Sequence, residues 1–571
     1  MTDTNANETV PNGSKLTEDA KPRDARLLRD VSPLLFFSIL LIILSAFRPL
    51  ALPDEGRYAE IGRWMWASGD WLVPRLNGLP FFHKPPLLYW MEAALATTGS
   101  SNAWLFRSIP AAHAILILSL IEPLVRPLAG EAVARKVFYV FGSTTAFLLG
   151  GQYINHDMMV ACWISVAIGS FGWFVIRLDQ SASRSVVPPS LKKIAWLGFV
   201  ACALGVLSKG LIGLVLPGGV LIIWLCWCGR WFALRKLPWI SGSLIFLIIT
   251  VPWFIAAENA YPGMMGYMFG VHQFARFTGH QFNNAQPVWF YLVATSLLLG
   301  PWFIGFWAYH YQKLSDYWTQ FLRRGLLIKG LTQVFSHDHQ RLRAPKQLLI
   351  GLCVIWVWVI VVFFSIPSSK IIGYALPVIP PMSLLCVLGW DRLIERSRVK
   401  PYFYKTLFIL SLAVGIWIQI QAGAISMRHS SADVAQFLAC QDLGDSEVLV
   451  AGEYPYDLPF LLNSKKPFWV IQDWVRERLH AGDNWRREMF EGSNFEPSTG
   501  QFLKPLNTPE LESKNAGRWL LLPSQWNNIP ELQRMGFVKE FSGQAWTLYR
   551  SQLTQAVKLN DSGQCVSQMG K

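Results

Sequence analysis

Long runs of apolar residues alternate with short polar segments over the first three quarters of the chain. A helix needs roughly 20 apolar residues to cross a bilayer, and eleven runs approach or reach this length. They are 34–52, 104–125, 134–153, 158–177, 194–209, 211–228, 237–257, 288–309, 347–366, 371–390 and 405–424. A shorter stretch, 85–99, carries Glu92 and predicts a partial or interfacial helix. The pattern predicts a polytopic α-helical membrane protein with about 11–13 transmembrane helices.

After residue 425 the pattern changes to short apolar runs bounded by polar turns. Residues 447–451 and 518–523 predict buried strands, 541–549 an edge strand, and 431–440 a helix. Alternating strands and helices indicate a small α/β domain over 430–550. The predicted organisation is therefore a disordered cytoplasmic tail (1–30), a membrane domain (31–425), the soluble α/β domain, and a flexible tail (551–571).

Composition and charge agree with a membrane protein. The 571 residues are 52% hydrophobic and only 15% charged, which is too apolar for a soluble protein of this size. The net charge of +14 comes largely from Lys and Arg in alternate loops and in the first thirty residues. Short basic loops stay in the cytoplasm, so 53–103, 257–287 and the chain after 425 are predicted to face outward. This bias explains the charge without a nucleic-acid partner.

The first outward loop, 53–90, has many more ionisable residues than a simple connector needs. Pro53 suits the start of a helix, and Gly69 suits its end. Asp54 directly follows the first apolar run and is expected at headgroup depth, where ionisable residues indicate a functional site. Arg57 lies one helical turn away, and Lys84 precedes two stiffening prolines. A carboxylate beside cations suits a lipid enzyme that handles phosphate, although a loop whose charges only face water is the alternative.

Four pieces of this loop carry a family resemblance. They are Asp54-Glu55-Gly56-Arg57-Tyr58-Ala59-Glu60, Ser68-Gly69-Asp70-Trp71, Asn77-Gly78 and Lys84-Pro85-Pro86-Leu87-Leu88-Tyr89-Trp90. In this order and spacing they resemble the first periplasmic loop of the bacterial membrane glycosyltransferases that use polyprenyl-phosphate sugars, in particular the lipid A aminoarabinose transferase branch. Weaker similarities, including Asn155-His156-Asp157, Ser208-Lys209-Gly210 and Arg276-Phe277, continue to about residue 390.

The resemblance implies a GT-C-like fold and an inverting glycosyltransferase that moves a sugar, such as 4-amino-4-deoxy-L-arabinose, from undecaprenyl phosphate to lipid A. It implies Asp54 as the catalytic base and Asp157 as a second acid. The residues implied to bind substrate or phosphate are Arg57, Tyr58, Lys84, Lys209, Arg276 and Tyr374. Asp157 also opens a predicted helix, so a capping role is the alternative.

One position departs from the family pattern, because His83 replaces the usual Glu before Lys84. A divalent metal held by His83 with His272 or His280 is an alternative, but their spacing carries no metal signal. No cofactor is expected to be required.

The expected location is the bacterial inner membrane, with the catalytic loop and the C-terminal domain periplasmic. The expected partners are a polyprenyl-phosphate-linked sugar, lipid A or another envelope acceptor, and membrane lipids. A protein O-mannosyltransferase-like enzyme acting on envelope proteins is the first alternative. A transporter or flippase, and a non-catalytic assembly protein, are others, but the charges cluster at one interface and no internal repeat is evident.

Overall fold

The computed structural model describes residues 23–46, 48–99, 102–180, 187–275, 283–324, 344–395, 400–441, 447–506, 518–526 and 535–551. The α-helices of its membrane part are α1 (Arg23–Ala46), α2 (Asp54–Ser68), α3 (Leu87–Ala96), α4 (Ala103–Ala129), α5 (Glu131–Gly142), α6 (Thr145–Gly150), α7 (His156–Gln180), α8 (Pro189–Lys209), α9 (Ile212–Cys228), α10 (Phe232–Lys236), α11 (Trp239–Ala260), α12 (Phe290–Leu299), α13 (Phe303–Arg324), α14 (Pro345–Ser365), α15 (Ile379–Ile394) and α16 (Lys400–His429). A π-helix (Gly266–Ala275) and two 3₁₀ helices (Gly300–Trp302 and Ile372–Val378) complete this part.

Among the described residues, eight helices are long and apolar enough to span a membrane. They correspond to eight of the eleven predicted spans and confirm a multi-span membrane fold. The predicted interfacial segment 85–99 is also helical, as α3. The first helix begins at Arg23, inside the segment predicted to be a disordered tail, so that boundary was wrong. Residues 1–22, and residues 552–571 of the predicted tail 551–571, lie outside the described residues.

The other three predicted spans are shorter or interrupted. The first reaches only Ala46, and α9 has 17 residues between two glycines with positive φ, Gly210 and Gly229. The predicted span 134–153 is divided into α5 and α6. The break lies at Thr144, whose hydroxyl accepts a hydrogen bond from the backbone N–H of Phe147 at 3.1 Å and caps α6. Side-chain capping of a new helix start explains the interruption.

The C-terminal part contains one mixed sheet, which confirms the predicted α/β domain. Its strands are β3 (Val448–Ala451), β4 (Trp469–Ile471), β5 (Leu503–Lys504), β6 (Trp519–Pro523), β7 (Phe537–Ser542) and β8 (Trp546–Ser551), after a hairpin of β1 (Arg75–Leu76) and β2 (Leu79–Pro80) in the first loop. The sheet order is β5-β4-β3-β6-β8-β7. Strands β3 to β6 are parallel, whereas β7 and β8 are antiparallel. The predicted edge strand 541–549 was wrong, because these residues contain the turn between β7 and β8.

The helices of the C-terminal domain are α17 (Ala432–Ala439), α18 (Leu458–Leu461), α19 (Trp474–His480) and α20 (Trp485–Phe495). The domain packs directly on the first loop. Ile61 and Met65 of α2 are fully buried in one apolar cluster with Val470 and Met489. Burying each such side chain stabilises the contact by about 1.5–3 kcal/mol.

Polar contacts fix the orientation of this interface. Arg63 donates to the carbonyl of Ser464 at 2.6 Å, and the Asn77 side chain exchanges two hydrogen bonds with the backbone of Phe468. Asn77 and Gly78 both have positive φ and form the two-residue turn between β1 and β2, as an Asn-Gly hairpin requires.

A third segment meets this interface, since the hydroxyl of Tyr261 donates to Glu496 at 2.8 Å. The three segments predicted to share one side of the membrane therefore contact one another.

Candidate active site

The helix α2 begins directly at Asp54. Pro53 precedes it, and Gly69, with φ of 74°, ends it in the left-handed conformation. This matches the helix predicted from the sequence. Asp54 and Glu55 occupy the first turn, where carboxylates interact favourably with the helix dipole.

Glu55 anchors α2 to the membrane bundle. Its fully buried carboxylate accepts hydrogen bonds from Arg107 of α4 and Arg48, and from the backbone N–H of Ile154 at 3.0 Å. Burial opposes ionisation, but the two guanidinium groups hold the pKa of Glu55 at about 2. The side chain is thus an ionised structural anchor. Glu60 likewise pairs with Arg63 at 2.7 Å.

Arg57 joins the first loop to the C-terminal domain. Its guanidinium forms ion pairs with Asp54 on one side and Glu488 of α20 on the other. It also lies 5.2 Å from the ring centroid of Tyr58 and 5.4 Å from that of Tyr456. Burial raises the pKa of Glu488, although the charge of Arg57 acts in the opposite direction. Asp54 keeps more contact with solvent, with a side chain 39% exposed.

A second acid lies at the start of α7. Asp157 pairs with Lys209 at the end of α8, and the Lys209 ammonium lies 4.4 Å from the ring centroid of Tyr374. The side chain of Asn155 accepts a hydrogen bond from the backbone N–H of Asp157 at 2.8 Å. Asn155 therefore caps the helix, and the alternative role of Asp157 as the cap was wrong. The ion pair joins three predicted site residues in one cluster.

His156 lies between these two clusters. It is 1% exposed, and its ring centroid is 4.7 Å from that of Tyr58 and 5.3 Å from that of Tyr89, both in edge-to-face geometry. Neither ring nitrogen has a hydrogen-bond partner among the described residues. The charges of Lys84, Lys209 and Arg57 act on this ring electrostatically, so three of the predicted phosphate ligands lie in its neighbourhood.

The site thus brings together all but one of the predicted residues. Asp54, Arg57 and Tyr58 come from α2, Lys84 from the end of the first loop, Asp157 from α7, Lys209 from α8, and Tyr374 from the 3₁₀ helix before α15. The remaining one, Arg276, lies outside the described residues, as does His280.

The sequence predicts no site residue in the C-terminal domain and no role for His156. In the structure that domain supplies Glu488 and Tyr456 around Arg57. No local pattern around Glu488 or Tyr456 signals this contact, since more than 400 residues separate Arg57 from Glu488.

Three potential metal ligands meet beside the site. His83, His272 and Glu491 each offer a donor atom, and these atoms lie within 4.8 Å of one another. The two imidazole rings are 3.9 Å apart between centroids. The hydroxyl of Tyr267 contacts both His83 and Glu491, at 2.9 and 2.5 Å. Two nitrogens and one carboxylate oxygen form a donor set that suits Zn²⁺. One ligand comes from each of the three segments that meet at this end of the bundle.

The fold and this site define a class of protein. The chain is a multi-span membrane protein with carboxylates and cations gathered at one mouth of its helical bundle, beneath a soluble α/β domain. Its fold is that of the GT-C membrane glycosyltransferases. It is similar to the crystal structure of ArnT from Cupriavidus metallidurans bound to undecaprenyl phosphate, with a TM-score of 0.72 and 20% identity, covering 94% of this chain and all of that one.

A more distant likeness shows the same fold. The archaeal oligosaccharyltransferase AglB from Archaeoglobus fulgidus, in complex with an inhibitory peptide and a dolichol-phosphate, gives a TM-score of 0.51 at 12% identity, over 92% of this chain and 75% of that one.

Sequence comparisons find the same resemblance over part of the chain. Residues 31–268 match the family model described as dolichyl-phosphate-mannose-protein mannosyltransferase. The chain is also 30% identical over 389 residues to the undecaprenyl phosphate-alpha-4-amino-4-deoxy-L-arabinose arabinosyl transferase 1 of Sodalis glossinidius, over 64% of this chain. It spans about 60% of the length of the curated relatives that it matches.

Proposed function

We propose that this chain is an inverting glycosyltransferase that transfers one sugar from undecaprenyl phosphate to lipid A on the periplasmic face of the bacterial inner membrane. The observation that carries the proposal is the convergence of Asp54 with Lys84, Lys209 and His156 at one mouth of the bundle. The fold, the matched family model and the names of the relatives support a polyprenyl-phosphate donor. 4-Amino-4-deoxy-L-arabinose is the first sugar to test, because these relatives are named for it.

The proposed reaction needs a base and an anion site. A hydroxyl of the acceptor attacks the anomeric carbon of the sugar, and its proton passes to the Asp54 carboxylate. The bond between that carbon and the phosphate oxygen breaks, and undecaprenyl phosphate leaves with the electron pair. Attack from the opposite face inverts the anomeric centre.

Several cations stabilise the departing phosphate in this proposal. Lys84 and Lys209 approach it from different segments, so their charges are held in place before the phosphate develops its additional negative charge. Tyr374 holds the Lys209 ammonium through its ring. Arg57 is engaged by two carboxylates, so we assign it to positioning Asp54. His156 offers hydrogen bonds to the donor through its ring nitrogens.

The direct test compares wild type with Asp54→Asn in purified protein. The amide keeps the size of the side chain but does not accept the proton, so transfer to lipid A should fall by about 10² to 10⁴. The matched control is Asp70→Asn in the same loop, because an amide oxygen can still accept the 3.1 Å hydrogen bonds from the backbone N–H groups of Leu72 and Val73. Near wild-type transfer by Asp54→Asn would contradict the proposal.

The acceptor needs a separate experiment. Mass spectrometry of lipid A and of envelope proteins, from cells with and without an active chain, distinguishes the two acceptor classes. A mass increment of one sugar on lipid A supports the proposal. The same increment on protein alone would instead favour a protein O-mannosyltransferase-like activity.

We also propose that His83, His272 and Glu491 bind one divalent cation that holds the three segments together. Elemental analysis of the purified protein should give about one Zn²⁺ per chain, and His272→Ala should lose it. His480→Ala, an exposed histidine of α19, is the control. An unchanged metal content in His272→Ala would exclude this site.

A further inference from the structure

A large cavity lies at the end of the bundle opposite the candidate active site. The helix α4 starts near the site, where Arg107 contacts Glu55, and its 27 residues carry the chain roughly 40 Å to Ala129. The next helix, α5, begins there and lines the cavity together with the first turns of α16. The cavity has a volume of about 680 Å³, which is in the range of cavities that hold small ligands.

The rim of the cavity is basic. Arg135, Lys136 and Lys405 line it, and Glu131 is its one lining carboxylate among the described residues. Arg135 pairs with Glu131 at 2.6 Å, and Lys136 pairs with Asp391 at 2.5 Å. The rim therefore keeps a net positive charge. Lys405, whose side chain is exposed, carries that net charge. Arg135 bonds Glu131 through one terminal nitrogen, so its remaining N–H groups can still donate to a ligand.

The inner wall is aromatic and apolar. Tyr139 and Phe408 lie 5.5 Å apart between ring centroids, and Trp302 stacks on Tyr404 at 6.0 Å. The Lys136 ammonium lies 4.7 Å from the ring centroid of Tyr404, so the basic rim continues directly into this wall. This lining suits a ligand with an anionic head and an apolar tail.

We propose that this cavity binds an anionic glycerophospholipid of the adjacent leaflet, with its phosphate at Arg135 and Lys405 and its acyl chains against Tyr139 and Phe408. Basic pockets between membrane helices attract such headgroups, and aromatic residues favour the interface at which they lie. A zwitterionic lipid brings its own cation into the positive rim and should bind more weakly. The proposal does not depend on the proposed glycosyltransferase activity.

The test uses the purified full chain with phosphatidylglycerol or phosphatidylcholine in mixed micelles. Native mass spectrometry counts retained lipid, and a titration gives the apparent affinity. The wild type should retain phosphatidylglycerol preferentially. Arg135→Gln combined with Lys405→Gln should weaken its binding by about 30-fold, since each cation near the headgroup contributes roughly a fivefold factor.

Two further variants separate the cavity from general surface charge. Lys192→Gln combined with Lys193→Gln removes two exposed cations at the start of α8, at the same end of the bundle, and should change the affinity less than twofold. Ala132→Trp leaves the charge unchanged but narrows the rim, and should also abolish the preference for phosphatidylglycerol.

Three results would overturn the proposal. They are equal retention of the two phospholipids by wild type, equal losses in the Arg135/Lys405 and Lys192/Lys193 variants, and full binding by Ala132→Trp. Displacement of phosphatidylglycerol from this cavity by an equimolar amount of undecaprenyl phosphate would assign the cavity to a polyprenyl phosphate instead.

Discussion

The ion pair between Arg57 and Glu488 should be necessary for full activity, although neither residue is proposed to transfer a proton. Glu488→Gln keeps the volume of the side chain and can still accept a hydrogen bond from Tyr456, at 3.0 Å in the wild type. It removes the charge that holds Arg57 in place. The Asp54 carboxylate, which shares Arg57, should then sample positions outside its productive geometry.

The magnitude follows from burial. Both side chains of the pair are only 12% exposed, and breaking a buried pair costs about 3–5 kcal/mol. In Glu488→Gln, Arg57 keeps its ion pair with Asp54, whose side chain is 39% exposed. This remaining pair partly compensates the lost charge, so the expected cost falls to about 2–3 kcal/mol. This corresponds to roughly 30- to 150-fold in kcat for sugar transfer, if the loss falls on positioning.

The assay measures transfer and donor hydrolysis in purified protein, together with hydrogen exchange over 485–495. The hydrogen bonds from Arg63 and Asn77 should keep the domain docked, so exchange should rise only locally. The control is Glu477→Gln, which removes the ion-pair partner of Arg486 in the same domain. This variant should change kcat for sugar transfer less than twofold. Full activity of Glu488→Gln, or additive losses in Arg57→Gln combined with Glu488→Gln, would refute the reasoning.

Three other predictions concern charge and hydrogen bonding. Lys84→Ala should raise the KM for the donor more than Lys84→Arg does, because arginine keeps a cation with altered geometry; a KM equal to that of the exposed control Lys465→Ala would remove Lys84 from the site. His156→Phe should lose about tenfold in kcat/KM, as expected for one hydrogen bond, and His156→Asn should recover part of it; equal losses in both variants would mean a packing role. The lowered pKa of Glu55, about 2 against the ordinary 4.5, contributes stability above pH 4.5 that is lost as the pH falls toward 2. Glu55→Gln should therefore flatten the pH dependence of the unfolding temperature between these two values. A pH dependence as steep as that of wild type would contradict this prediction.

Local features of the sequence determined the membrane architecture and part of the site. Apolar runs long enough to span a bilayer indicate membrane helices directly. The distribution of Lys and Arg predicted which loops lie at the same end of the bundle. Pro53 and Gly69 bound α2 through backbone preferences that need no distant partner. Asp54, Arg57 and Lys84 could be predicted because one short loop holds them together.

Tertiary structure alone decided which residues from other segments contact that loop. Glu488, His272 and Glu491 come from segments that are far from 54–84 along the chain, and no periodicity records which residue will face another across a domain interface. The segment Asn155-His156-Asp157 carries a weak family similarity, but it gave His156 no role, since a buried histidine is noticed only when its neighbours fail to provide hydrogen bonds. The division of the span 134–153 at Thr144 has the same origin, because capping there competed with continuous helix. The sequence by itself therefore indicated which loop places charged residues at the membrane surface. Long-range packing decided which other charged residues contact them.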